Sequence, residues 1–177
     1  MTQVRTWHRV ASWGIVRTMP IGSGKPKVGD EAPAFDVVSS EGQRVRLEDY
    51  KGKKNVVLYF YPKDFTPVCT AEACGFRDIY DTLVSRDTEV IGVSMDSDGS
   101  HKDFAAKHHV PFPLISDPEG KLARSYGATG TLVGLLGMTK RITYVIDKQG
   151  KIVAVFDSAF RANQHIDGVK SALASLS

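Results

Sequence analysis

Residues 56–61, Val-Val-Leu-Tyr-Phe-Tyr, form an unbroken apolar and aromatic run with the length and composition of a buried strand. Pro62 stops it and a short polar loop follows. Thr66-Pro67 then reads as a helix start, with Thr66 at the N-cap and Pro67 at the first helical position, where its missing N–H costs nothing. That helix runs from 66 to about 85. Upstream, 34–38 and 44–47 separated by Glu41-Gly42 suggest a short strand pair with a glycine turn. Downstream, 88–95 is a second buried strand. The pattern Ser100-x-x-Asp103 opens a helix to 109, and 112–115 is a short strand. Asp117-Pro118 caps a helix that Gly127 ends, and 128–140 is an apolar, glycine-rich loop. Residues 141–147 and 151–157 form an antiparallel hairpin. Ile166, Val169, Leu173 and Leu176 give the last helix one apolar face. Strands alternating with helices, then a hairpin and a helix, call for an α/β layered fold.

Composition changes this picture in two places. Two cysteines in 177 residues do not make a secreted disulfide scaffold, which points to a reducing compartment and to cysteines kept for reactivity. The net charge of +3 hides an uneven distribution. Residues 1–29 hold Arg5, Arg9, Arg17, Lys25 and Lys27 and no acid, so the rest of the chain is weakly acidic. Such a body argues against a nucleic-acid surface, and no run approaches the length of a membrane span. Residues 1–27 read as an N-terminal extension and linker ahead of one domain at 28–177. The extension has two readings: an organellar transit peptide, or a frayed tail ahead of a start at Met19. Localisation is read as cytoplasmic, with targeting by residues 1–20 left open.

The helix start carries the chemistry. Its register puts Cys69 in the first turn, where free N–H groups and the positive end of the helix dipole favour an anion, and the thiolate is the reactive form. Cys74 lies five residues further along the same helix. In an ideal helix that spacing separates the Cα atoms by about 8.7 Å, whereas a disulfide needs less than about 7 Å. The two can bond only if the first turns unwind, and Gly75 lowers helix propensity there. Metal binding is poorly supported, because His108 and His109 are adjacent rather than at ligand spacing. All five histidines read as solvent-facing or structural.

Pro62-x-x-x-Thr66-x-x-Cys69 resembles the active-site motif of the peroxiredoxins, and the wider Phe-Tyr-Pro-Lys-Asp-x-Thr-Pro-x-Cys-Thr-x-Glu-Ala-Cys is similar to their bacterioferritin comigratory protein, or PrxQ, branch. The resemblance implies a thioredoxin-like fold, with a central mixed sheet flanked by helices and an N-terminal strand pair. It implies a thiol-dependent peroxidase acting on hydrogen peroxide and organic hydroperoxides without a cofactor. Cys69 would become a sulfenic acid, Cys74 would resolve it as an intramolecular disulfide, and thioredoxin or a similar thiol reductant would recycle it. Arg141 occupies the place of the family's arginine beside the thiolate. Thr66, the Cys69 N–H and Arg141 would hold the peroxide, and Pro62 would shield the thiolate.

Plainer readings stand beside these: a strand-edge surface charge for Arg141, a simple N-cap for Thr66, a core cysteine for Cys74. Glu72 and Tyr61 are weaker candidates, equally readable as helix-surface and core residues. The chain departs from the branch pattern at Phe65 and Val68, whose bulk could narrow the pocket. The apolar stretch 132–138 reads as a collar, a dimer contact or core packing, and the protein as a monomer or weak homodimer. A thiol–disulfide oxidoreductase and a peroxide sensor are the alternative functions. The first lacks its usual Cys-x-x-Cys.

Overall fold

The computed structural model describes residues 24–176. The transit-peptide and Met19 readings lie outside them. Strands β1 (Asp36–Val38) and β2 (Arg44–Arg46) form the expected antiparallel pair, with Val37 opposite Val45, and lead through α1 (Leu47–Tyr50) to β3 (Asn55–Phe60). The chain continues through α2 (Pro67–Asp78), α3 (Tyr80–Val84), β4 (Thr88–Ser94), α4 (Asp98–His108), β5 (Leu114–Ser116), α5 (Lys121–Ser125) and α6 (Thr131–Leu135). The hairpin β6 (Ile142–Ile146) and β7 (Ile152–Asp157), and the closing helix α7 (Ala162–Ala174), complete it. The five-stranded sheet has the order β5-β4-β3-β6-β7. Strands β3, β4 and β5 run parallel, and β6 and β7 run antiparallel to their neighbours. This is the mixed sheet flanked by helices that the sequence implied.

The central run explains the layering. Every residue of β3 is buried, because both faces of the strand are covered. Val56, Leu58 and Phe60 pack with Val45, Leu122, Tyr126 and Tyr144 on one side. Val57, Tyr59 and Tyr61 pack with Cys69, Phe76, Phe104 and Val169 on the other. The side-chain period of two thus commits the site to the α2–α4–α7 layer.

Several boundaries differ from the sequence reading. The helix expected over 66–85 breaks at Ile79 (φ −108°, ψ 4°) into α2 and α3. α4 begins two residues before the expected Ser100, because the extended Ser97 supplies the cap and its side chain accepts from the Ser100 N–H. α5 starts at Lys121 behind Gly120, while Asp117 accepts from the Ala123 N–H at 2.8 Å. The stretch 128–140 contains α6, and Leu132, Leu135 and Leu136 are exposed, which rules out core packing for these three. The end of the expected linker lies against the body: Pro26 is buried and Lys25 pairs with Asp157 at 2.5 Å.

Gly127 ends α5 in the left-handed conformation (φ +63°), and a Cβ there would stand 2.7 Å from the Lys25 Cα. Gly127→Ala is expected to lower stability by about 2 kcal/mol or more, from left-handed backbone strain and displacement of residue 25. The midpoint of urea unfolding measures this. Gly75 also has a packing reason beyond helix propensity, since a Cβ there would fall 2.0 Å from the Ile166 Cδ1 of α7.

Candidate active site

Strand register assembles the site. β6 runs antiparallel to β3 with Ile142 opposite Phe60, so the residue before β6 lies at the end of β3 where α2 begins. That residue is Arg141. Thr143, two positions on, shares its face of the sheet. From α2, Cys69 and Glu72 sit three residues apart and therefore on one side of the helix.

Cys69 is 1 % exposed and Arg141 4 %. Arg141 Nη2 donates to Cys69 Sγ at 3.0 Å, Nε donates to the Ala159 carbonyl at 3.0 Å, and Nη1 pairs with Glu72 Oε2. The strand-edge surface reading of Arg141 is thereby overturned. The guanidinium is shared between a thiol and a carboxylate, each reached by a different nitrogen of the planar fork. Burial pushes the Glu72 carboxyl up to about 7 against the opposing pull of Arg141.

Thr66 is the N-cap of α2 and Pro67 its first residue, as the sequence indicated. The Thr66 hydroxyl does not cap the helix; it donates to the Lys63 carbonyl at 3.1 Å. The first-turn N–H groups of Val68 and Cys69 are consequently unclaimed by a capping side chain. Pro62 is half-buried directly after the strand. Cys74 is half-buried, unbonded to Cys69, and lies beside Arg77. Arg141 joins Cys69 and Glu72. Cys74 stands apart on the same helix.

Residues 28–155 match the AhpC/TSA family. The chain is 43 % identical over 148 residues to the chloroplastic peroxiredoxin Q of Sedum lineare, covering 84 % of this chain and 78 % of that protein. This chain belongs to the AhpC/TSA family of peroxiredoxins. As a peroxiredoxin it is a thiol-dependent peroxidase. Among solved structures it is similar to peroxidoxin BcpB from Mycobacterium tuberculosis (TM-score 0.77, 32 % identity, covering 85 % of this chain and 98 % of that one). It also resembles the Xanthomonas campestris bacterioferritin comigratory protein, described for its alkyl peroxide reduction activity (TM-score 0.74, 28 % identity, 85 % and 99 % covered).

Other features of this peroxiredoxin were hidden in its sequence. Glu72 is fully buried rather than on the helix surface. The loop between β3 and α2 is anchored by Asp64, which accepts from Tyr61 Oη at 2.8 Å and Ser100 Oγ at 2.7 Å and faces His101 Nδ1 at 2.8 Å. Burial alone would raise the Asp64 carboxyl, but the hydrogen bonds from His101, Ser100 and Tyr61 hold it below the usual carboxylate range. Tyr61 is therefore a core residue with an anchoring hydroxyl. Phe65, at φ +61°, turns onto α4, edge-on to Phe104 at 5.3 Å with Lys107 over its ring. His101 and His165 are buried. Among the described residues no cluster of three or more His, Cys, Asp and Glu could hold a metal, and no helix is long and apolar enough to cross a membrane.

Proposed function

We propose that this peroxiredoxin reduces hydrogen peroxide and alkyl hydroperoxides through Cys69, with Cys74 as the resolving thiol. The contact between the Arg141 guanidinium and Cys69 Sγ at the start of α2 carries the reading. The thiolate attacks the terminal peroxide oxygen, the O–O bond breaks, and the leaving alkoxide or hydroxide takes a proton as alcohol or water. Cys69 is left as a sulfenic acid. The Cys74 thiol then attacks the sulfenic sulfur, water departs, and a disulfide links the two. A thioredoxin-like dithiol reduces it and returns both thiols.

Ionisation explains only part of the rate. An ordinary free thiol is already a few per cent thiolate at neutral pH, so full ionisation gains at most about thirtyfold, or about 2 kcal/mol. The larger share comes from holding the peroxide and stabilising charge on the leaving oxygen. Arg141 and the Cys69 N–H are the donors for this; the Thr66 hydroxyl, whose one hydrogen goes to the Lys63 carbonyl, offers the peroxide O–H an acceptor, and Pro62 shields the sulfur. The exposed Leu132, Leu135 and Leu136, in the segment leading into Arg141, suit a collar for the alkyl part of a hydroperoxide. The protein would act as a monomer or weak homodimer, in the cytoplasm or, should residues 1–20 serve as a targeting segment, in an organelle.

The test is the number of thiols lost per peroxide added to the fully reduced protein. One equivalent should rapidly remove both thiols, leaving an intramolecular disulfide, whereas Cys74→Ser should stop at a Cys69 sulfenic acid. A reduced protein that ignores peroxide for minutes yet exchanges disulfides readily would be an oxidoreductase instead.

A further inference from the structure

Residues 62–66 carry the chain from the end of β3 to the N-cap of α2, and one peptide link among them is held from both sides. The N–H of Asp64 donates to Asp96 Oδ2 at 2.8 Å. The carbonyl of the same link, that of Lys63, accepts from the Thr66 hydroxyl at 3.1 Å. A trans peptide is planar, and its N–H and C=O point in opposite directions. Holding the N–H therefore fixes where the carbonyl faces, and with it the hydrogen of Thr66. Phe65, at φ +61°, bends the chain so that the hydroxyl returns to this carbonyl.

Asp96 is itself fixed. Ser94 Oγ donates to its Oδ2 at 2.8 Å and accepts from its N–H at 3.1 Å, and the Asp96 carbonyl accepts from Ser116 Oγ at 2.7 Å. The ends of β4 and β5 thus anchor it. The Asp64 side chain, buried against Ser100 and His101 of α4, keeps the link beside it.

We propose that Asp96 is a positioning residue for the peroxide reaction, an inference that rests on the roles given above to Cys69 and Thr66. Through the Lys63–Asp64 link it keeps the Thr66 hydrogen turned to the Lys63 carbonyl. The lone pairs of Oγ are then left to accept from the peroxide O–H. Without Asp96 the link is free to rotate, and the hydroxyl loses the acceptor that fixes its hydrogen. A hydroxyl that turns offers the peroxide a donor as well as an acceptor, and the peroxide is no longer held in one orientation. The role needs no charge on Asp96, only an oxygen in its place.

A double-mutant cycle tests this, with hydrogen peroxide as the probe and the rate constant of Cys69 oxidation read by rapid quench. Asp96→Ala should slow oxidation about threefold to tenfold, the worth of one hydrogen bond. Thr66→Val should slow it at least as much; the hydroxyl makes no cap bond, so the change does not uncap α2. In the Thr66→Val background, Asp96→Ala should cost less than about twofold more, because the oxygen it orients is gone. Asp96→Asn, whose amide oxygen can accept the Asp64 N–H, should stay within about twofold of the parent.

An Asp96→Ala factor equal in both backgrounds would overturn the proposal, since a loosened fold slows both alike. So would an Asn variant as slow as the Ala variant. Should Asp96→Ala fail to fold, Ser94→Ala replaces it in the cycle, removing the hydroxyl that donates to Asp96 Oδ2. About threefold in the parent and no loss in Thr66→Val is then expected, and equal factors again overturn the proposal. A Thr66→Val protein as fast as the parent would defeat the role of Thr66 and the inference with it. A slowed Thr66→Val beside an unchanged Asp96→Ala would defeat the inference alone.

Discussion

Arg141→Ala is expected to slow the reaction of Cys69 with hydrogen peroxide by about 10²–10³-fold, the loss typical of removing a preorganised donor from developing negative charge. The same change should lower stability by about 3–5 kcal/mol, because Glu72 would remain buried without its cation. The two effects are separable. A double variant, Arg141→Gln with Glu72→Gln, removes the unpaired charge and should recover much of the stability while recovering none of the rate. Arg141→Lys tests the fork. Three guanidinium nitrogens reach three acceptors, Ala159 O, Glu72 Oε2 and Cys69 Sγ, in different directions. One ammonium cannot reproduce that plane, so Lys should keep the charge yet lose most of the acceleration. Rapid-quench thiol loss and urea unfolding measure the two quantities. A Lys variant as fast as the parent would show that charge alone suffices.

The second large effect is structural. Peroxide-oxidised protein should lose hydrogen-exchange protection across the first turns of α2 by about a hundredfold or more, while β3, β4 and β6 keep theirs. A helix holds cysteines five apart beyond disulfide reach, so the bond can close only on an unwound segment. The sheet has no reason to follow: β3 is buried on both faces and bonded to β4 and β6 on its two edges. Amide exchange of the reduced and oxidised forms, read segment by segment, gives the result directly. Equal protection of α2 in both forms would mean that Cys74 does not resolve Cys69 within one chain.

Much of this architecture was legible in the sequence, and the reasons differ from element to element. The run at 56–61 announced a strand buried on both faces, because only such a strand tolerates apolar residues at every position. Thr66-Pro67 fixed the start of α2, and with it the register of Cys69. The break at Ile79 left no mark, since no glycine or proline punctuates it. Glu72 stayed undecided between the site and the helix surface because a charge on a helix is normally solvated, and its partner lies 69 residues away in sequence. Thr143 could have been found: with Arg141 at the site, strand alternation puts the residue two positions on upon the same face. The bulk of Phe65 was visible, but its direction follows from a positive φ that sequence alone does not reveal.

The two halves of the site are held differently. Arg141 is fixed by the sheet and by Ala159, whereas both side chains that it binds, Cys69 and Glu72, ride on the helix whose first turns would unwind in the proposed resolution step. Unwinding that carries both of them away strands a cation in the interior. The oxidised molecule would then be cocked, with electrostatic tension that refolding of the helix discharges. Reduction of the disulfide releases the catch, and the fixed guanidinium draws the sulfur back to its starting place.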